Sequence, residues 1–301
     1  MSVWGVEWSA TSPEGVWYTF CMETEKKVLV KKADGGTEAF DRAKLERSLR
    51  RSGATEDSVR EIVAHIETEL YDGISTREIY RHARVLLKKQ GAPAAAKYSL
   101  RRALFDLGPT GFPFETFLAE LFAADGYETK TGITLRGRCV EHEVDLVAYK
   151  PGRCLIAEAK FHANPGLKSD LQVALYTHAR FEDLKGARLP HSASHPITDA
   201  YLITNTKFTS VAIEYAACVG LRLLSWNYPP ERTLQDAIQE AGIYPVTALS
   251  TLSGREKRLL LGRGMALCRD MPHWRDALRS LGFSTAKIER MIAESVNLCR
   301  N

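Results

Sequence analysis

"HEVDLVAYKPGRCLIAEAKFH", residues 142–162, decides how the middle of this chain folds. It reads as two strands meeting at Pro151-Gly152, a dipeptide suited to a tight turn. Strict alternation puts Val144, Leu146 and Ala148 on one face and Glu143, Asp145 and Val147 on the other. In the second run Leu155, Ala157 and Ala159 alternate with Ile156, Glu158 and Lys160. Glu158 and Lys160 therefore share a face, and pairing through the turn can bring Asp145 to it; the offset is not given by sequence. Two crowded carboxylates raise each other's pKa unless a cation joins them. Hard oxygen ligands suit Mg²⁺ (or Mn²⁺), and Mg²⁺ takes one or two carboxylates. A lysine beside it can hold or activate a water and offset charge building on a phosphate. Those are the parts of a phosphodiester hydrolase. A plainer reading stands beside it: three polar positions on a half-exposed sheet, Glu and Lys screening each other.

Outward from this hairpin, helices alternate with apolar strands. "FETFLAELFAADG" reads as a helix, "YETKTGITLRG" as a strand, "SDLQVALYTHARFEDL" as a helix, "DAYLITN" as a strand, "TSVAIEYAACVG" as a helix and "LRLLSW" as a strand. That order predicts a mixed α/β sheet covered on both faces. The segments "GFPFETFLAELFAADGYET", "HEVDLVAYKPGRCLIAEAKFH" and "LQVALY" resemble the PD-(D/E)xK nucleases, specifically the Mrr-type restriction endonuclease group, over roughly residues 110–227. The resemblance implies an αβββαβ domain with Asp145 and Glu158 as metal ligands and Lys160 as the water-activating or charge-stabilising group. It further implies Glu115 as an auxiliary acid, and Gln172, from the Q-x-x-x-Y pair Gln172/Tyr176, as the group orienting water or phosphate. His162 stands where an aromatic residue is frequent in that group. Asn205 and Lys207, closing the strand after the site, read either as a plain turn or as phosphate contacts.

Upstream, "KKVLVKKADGGTEAF" is two short strand-like runs around Asp34-Gly35-Gly36, a hairpin signal. Amphipathic helices follow, with Asp41 as an N-cap, Thr55 with Ser58 a weak box, and Ser75 with Glu78 a good one. A final helix, "APAAAKYSLRRALFDLG", ends at Gly108-Pro109. The segments "VKKADGGTEAFDRAKL", "ISTREIYRHARVLLKKQG" and "AAAKYSLRR" resemble the ATP-cone, a regulatory nucleotide-binding domain. The resemblance implies binding of ATP or dATP through Val30, Lys31 and Lys32 on the strand, Phe40 and Lys44 in the pocket, and Tyr98 and Arg102 from the last helix. A phosphate-loop GK(S/T) is absent, so binding without hydrolysis is expected there.

The 301 residues, 45% hydrophobic and 26% charged, suit a folded chain of two or three domains. Residues 1–24 read as a leader without signal-peptide character, 25–107 as the ATP-cone unit, 110–230 as the nuclease-like domain and 245–301 as a helical C-terminal appendage. Trp274, Leu278, Leu281, Ile288 and Ile292 are expected in the core of that appendage, and Arg255, Lys257, Arg258, Arg263 and Arg269 on a loose basic face. Trp226 and Tyr228 are expected to seal the sheet against it. Net charge is +4, with a surplus of five cations in each of residues 25–106 and 245–301, which suits a polyanion partner without deciding for one. Six cysteines without a CxxC point to reduced thiols, and the His191/His195 pair lies in a Ser/Pro-rich loop. With no apolar run of spanning length, a cytoplasmic protein and no membrane contact are expected. The combined expectation is a metal-dependent DNA endonuclease regulated by a nucleoside triphosphate, acting in restriction or phage defence and possible as a homo-oligomer. Two alternatives remain at this level: a catalytically silent nucleotide-sensing DNA-binding regulator, and a branched-DNA resolvase.

Overall fold

The computed structural model describes residues 28–90, 92–189 and 192–300. The leader, Cys21 and His191 lie outside the described residues.

Strands β1 (Leu29–Lys31) and β2 (Thr37–Ala39) form the expected hairpin, Val30 opposite Glu38. Gly35 turns it at φ +85°, and the Asp34 carboxylate accepts the Gly36 N–H at 3.0 Å. Helix α1 (Arg42–Arg51) is capped by Asp41, which accepts the Lys44 N–H at 2.9 Å; Thr55 caps α2 (Glu56–Thr68). A two-residue strand, β3 (Ile74–Ser75), joins β1 in parallel and went unread in the sequence. Ser75 caps Glu78 at the head of α3 (Thr76–Gln90), but the Glu78 carboxylate accepts from the Tyr71 hydroxyl instead of closing the box. The last helix is two: α4 (Ala92–Tyr98) and α5 (Leu100–Phe105) part at Ser99, whose hydroxyl donates to the Ala95 carbonyl at 2.7 Å. Leu49, Val59, Ile62, Val63 and Ile66 fill the space between hairpin and helices.

Next come α6 (Phe112–Ala124), β4 (Glu128–Arg136), β5 (Glu141–Lys150) and β6 (Arg153–Lys160), with Gly152 turning the β5–β6 hairpin at φ +78°. Short β7 (Lys168–Ser169) precedes α7 (Leu171–Leu184), which Asp170 caps. Then follow β8 (Arg188–Leu189), β9 (Ser192–Pro196), β10 (Asp199–Thr204), β11 (Lys207–Phe208), α8 (Ser210–Val219) and β12 (Arg222–Ser225). The main sheet runs β12-β10-β6-β5-β4, antiparallel over β4–β5–β6 and parallel over β6–β10–β12. This is the mixed sheet expected. One face packs Phe114, Phe117 and Leu118 of α6 on Leu146, Ala148, Leu155 and Ala157; the other packs Ala174 and Phe181 of α7 and Ala212 of α8 on Val147, Cys154 and Ile156.

Helix α9 (Leu234–Ala241), also unread in the sequence, starts at a complete Thr233/Asp236 capping box. It leads to α10 (Gly254–Leu261), α11 (Arg275–Ser280) and α12 (Thr285–Cys299), with 3₁₀ turns at Val246–Ala248 and Cys268–Trp274. These helices are not an appendage. Leu278, Ile288, Met291 and Leu298 belong to the same apolar cluster as Leu100 and Leu104 of α5, Phe114 of α6 and Leu146 of β5. The buried Thr247 hydroxyl donates to the Ala103 carbonyl at 2.6 Å. The expected basic face is broken up as well: Lys257 turns inward to the Thr247 carbonyl, and Arg269 pairs with Glu120 of α6. Trp226 packs on this cluster, whereas Tyr228 goes to the opposite side of the sheet against Phe208. Among the described residues no helix is long and apolar enough to cross a membrane, and the five described cysteines are free thiols.

Candidate functional site

The β5–β6 ladder ends at the pair Leu146/Ala157, and Asp145 and Glu158 are the next residue on each strand. There the Asp145 carboxylate accepts the backbone N–H of Ala159 at 2.7 Å. On its other side the β4–β5 register passes from Thr131/Leu146 to Ile133/Val144, leaving Gly132 facing Asp145. Gly132 holds φ +58°, a left-handed conformation that a Cβ resists. This irregularity corrects the alternation read from sequence. Val144 joins the α7-side cluster with Val147 and Ile156, while Leu146 and Ala148 pack on the α6 side.

Glu158 is mostly buried and paired with Arg180 of α7; the side chains are 16% and 11% exposed. The Arg180 guanidinium also donates to the Tyr176 hydroxyl and lies 4.6 Å from that ring's centroid. Gln172, Tyr176 and Arg180 follow at four-residue spacing, so they line one face of α7. Gln172 itself is exposed, and its backbone N–H goes to the Asp170 cap at 3.1 Å. Sequence reasoning found Gln172 and Tyr176 but missed Arg180, although the same spacing extended once more points to it.

Glu115 stands in the first turn of α6, over Gly111, where a Cβ would come within 3.1 Å of its Oε1. Burial, first, pushes the Glu115, Asp145 and Glu158 carboxyls above their usual range. Asp145, Glu143 and Glu158 push Glu115 further up, and Asp145 does the same to Glu158. Arg180 and Lys160 oppose this at Glu158, and the Ala159 N–H, Arg180 and Lys160 oppose it at Asp145. Lys160 is exposed at the end of β6. The structure thus gathers Asp145, Glu158, Lys160 and Glu115 into one electrostatic neighbourhood, with the face of α7 alongside. Among the described residues no three acids, histidines or cysteines are grouped to ligate a metal. A donor set of two carboxylates, each raised by burial and crowding, nonetheless fits a hard cation that takes one or two of them.

The strand end is locked from behind. Buried Asn205 accepts the His162 N–H and donates to the His162 carbonyl, both at 2.9 Å, and His162 Nε2 meets the Ser169 hydroxyl at 3.0 Å. Asn205 is therefore a brace for the chain after Lys160, not a phosphate contact. Gly108 closes on the next residue: a Cβ there would come within 2.6 Å of Phe161.

In the N-terminal unit, a pocket of about 170 Å³ is lined by Val30, Phe40, Lys44, Tyr80 and Tyr98, among others. Tyr80 and Tyr98 stack, ring centroids 5.2 Å apart. At the pocket's rim Glu38 bridges Lys32 at 2.7 Å and Lys44 at 3.0 Å. Three of the residues assigned to nucleotide from sequence do not line it: Lys32 reaches only the rim, through Glu38, and Lys31 and Arg102 lie further off. Lys31 is exposed on the side of β1 away from buried Val30. Arg102 pairs with Asp106 at 2.9 Å and lines a separate cleft of about 550 Å³ with Arg77, Arg84 and Lys257.

Comparison with known proteins fits this layout. The family model for the ATP cone domain matches residues 28–106, and that for "AF1548-like, C-terminal" matches residues 244–299. An uncharacterized protein of Archaeoglobus fulgidus is 36% identical over 179 residues, which are 59% of this chain and 97% of the relative. The crystal structure of AF1548, a protein of unknown function, superposes with a TM-score of 0.51 at 34% identity, covering 63% of this chain and 98% of that one. The MspJI restriction endonuclease in complex with a 27-mer oligonucleotide aligns over 56% of this chain and 35% of its own at 16% identity. Its TM-score of 0.32 is too low to bear on function. An N-terminal ATP-cone domain thus precedes a sheet domain and closing helices, and the chain belongs to the AF1548-like family.

Proposed function

We propose that the protein is a metal-dependent DNA endonuclease of the PD-(D/E)xK kind, regulated by ATP or dATP in its ATP-cone domain. The observation that carries this reading is that Asp145 and Glu158 adjoin the end of the β5–β6 ladder, Asp145 bonded to the Ala159 N–H and acting on Glu158, with Lys160 two residues on and Glu115 adding to the same acidic field. Asp145 and Glu158 would hold Mg²⁺ or Mn²⁺, which when bound supplies a Lewis acid for a phosphoryl oxygen and lowers the pKa of a water. The Lys160 ammonium, at the open strand end, holds the attacking water and offsets charge as it builds on the phosphate. Glu115 would serve as the auxiliary acid, its affinity for a proton increased by burial and by its acidic neighbours. Gln172 is exposed on α7, where its amide can orient the water or a phosphate oxygen. Arg180 holds Glu158 charged and in place while no other cation is present.

Regulation requires that nucleotide bind two arrangements of the chain with different affinity. The test is cleavage of supercoiled plasmid by the full chain, with Mg²⁺ or Mn²⁺ and a nucleotide series. We expect divalent-dependent nicking whose rate changes with ATP or dATP. Asp145→Ala should lower that rate at least about 100-fold, since even residues that only support metal ligands cost 10- to 100-fold. One observation favours a second reading, a silent DNA-binding regulator: the Arg180 guanidinium sits on Glu158 where a metal would be needed. DNA binding without cleavage under every nucleotide would select that alternative.

A further inference from the structure

The 170 Å³ pocket is smaller than the roughly 300–1,000 Å³ of a typical ligand site. It suits a base between aromatic and aliphatic walls and leaves a triphosphate outside, over the Lys32–Glu38–Lys44 rim. What that rim faces is not part of the 28–106 domain alone. The loop after β6 runs directly against the β1–β2 turn: a Cβ on Gly166 would come within 3.1 Å of the Ala33 carbonyl oxygen and 3.3 Å of Asp34 Cα. Two residues on, Lys168 of β7 pairs directly with Lys207 of β11. Like charges opposite each other in a ladder are destabilising. Burial lowers the Lys207 ammonium's pKa, and the fields of Arg101, Lys44, Lys32 and Lys168 lower it further. Arg101 of α5 has its Nε fully buried without a partner, and its described contact is the Phe105 ring at 5.9 Å. Among the described residues Arg101, Lys168 and Lys207 form no ion pair; the carboxylates near the group are Glu38, shared between Lys32 and Lys44, and Asp34. Five cations converge with little carboxylate among them; Lys44, Lys168 and Lys207 keep contact with solvent, whereas Arg101 is partly buried and its unpartnered Nε is costly.

We propose that Lys207 and Lys168 of the sheet domain, with Arg101, complete the phosphate site of the ATP-cone domain, so that a nucleoside triphosphate bridges the two and clamps the loop between β6 and β7. This rests on nucleotide binding in the 28–106 domain. It goes further in assigning phosphate-binding residues outside that domain, on the chain segment that runs on from Lys160 through His162 to Lys168. The phosphates displace Glu38 from Lys32 and Lys44 and neutralise the facing lysines. The loop is then held against the β1–β2 turn by ligand as well as by contact.

The experiment is nucleotide titration of the full chain by calorimetry, using ATP, ADP and AMP, on wild type, Lys207→Ala and Lys207→Arg. We expect wild-type affinity to fall in the order ATP, ADP, AMP. Lys207→Ala should weaken ATP at least tenfold while leaving AMP within about twofold, and Lys207→Arg should stay within about threefold of wild type for ATP. Without nucleotide, Lys207→Ala should unfold at or above the wild-type temperature, because a like charge has been removed, which separates lost contact from lost fold. Unchanged ATP affinity in Lys207→Ala overturns the shared site and leaves the ATP-cone reading standing, whereas a wild type that binds no nucleotide overturns both. Weakened DNA binding by Lys207→Ala with ATP affinity intact also overturns it, by giving the cluster to a DNA backbone.

Discussion

The candidate nuclease site and the border of the ATP-cone domain present opposite electrostatic problems within one short stretch of chain. At Asp145, Glu158 and Glu115 carboxylates are crowded and raised, with Arg180 and Lys160 as partial compensation. At Lys32, Lys44, Arg101, Lys168 and Lys207 the surplus is cationic. Five residues separate Lys160 from Gly166, where the second region begins. On the proposed reading, a divalent cation would balance the first surplus and a polyphosphate the second. Asp183 shows the contrast. It accepts from His142 Nε2 at 2.8 Å and from the Cys139 and Val140 N–H groups at 2.7 and 3.2 Å, and these partners hold its carboxyl far below the usual range. That is a carboxylate built to stay in place.

Three changes test this contrast. The largest expected effect is at Arg180→Met, which leaves Glu158 mostly buried without its partner. We expect a loss of about 2–3 kcal/mol in urea unfolding without divalent ions, less than for a fully buried pair because both side chains are partly exposed. Mg²⁺ should then stabilise the variant more than the wild type, and equal Mg²⁺ effects in the two would break the comparison. Next is Gly132→Ala, which forces a Cβ into a left-handed conformation opposite Asp145 at about 1–2 kcal/mol. Its unfolding midpoint should fall, and divalent-dependent cleavage should fall with it if the Gly132 backbone helps aim Asp145. The smallest is Asp183→Asn. A depressed carboxyl contributes stability above the unfolded-state pKa and loses it as pH falls through the lower folded-state value. The variant should therefore melt below wild type at neutral pH, the gap narrowing as pH drops below about 4; a gap independent of pH would mean that the loss is packing rather than charge.

Much of this was legible because β-sheet periodicity and turn chemistry are local. The Pro151-Gly152 turn and the alternation around Glu158 placed two strands and an acidic pair without any tertiary information. The departure at Val144 was not legible, since it follows from a left-handed glycine on the neighbouring strand. Arg180 was within reach, one helical turn beyond the Gln172/Tyr176 spacing. Asn205 and Lys207 stayed open between a turn and phosphate contacts because their meaning lies in what they face across the fold: a strand-end backbone for one, the hairpin's lysines for the other. Lys31 and Arg102 lie off the pocket for a related reason, since a motif gives the order of residues but not which way a strand edge or a broken helix turns them. The C-terminal helices looked self-sufficient because their apolar residues are enough for a small core; that they instead complete a larger one depends on shape.

That common apolar interior, running from α5 through the sheet to α12, limits how a signal can travel. Modules joined by a flexible tether respond to a ligand by swinging, but here a swing would tear open buried leucines and phenylalanines. On the proposed reading, a message from the nucleotide pocket to the metal site would pass as a tightening of the thin surface strap at residues 161–168, against a body that stays still.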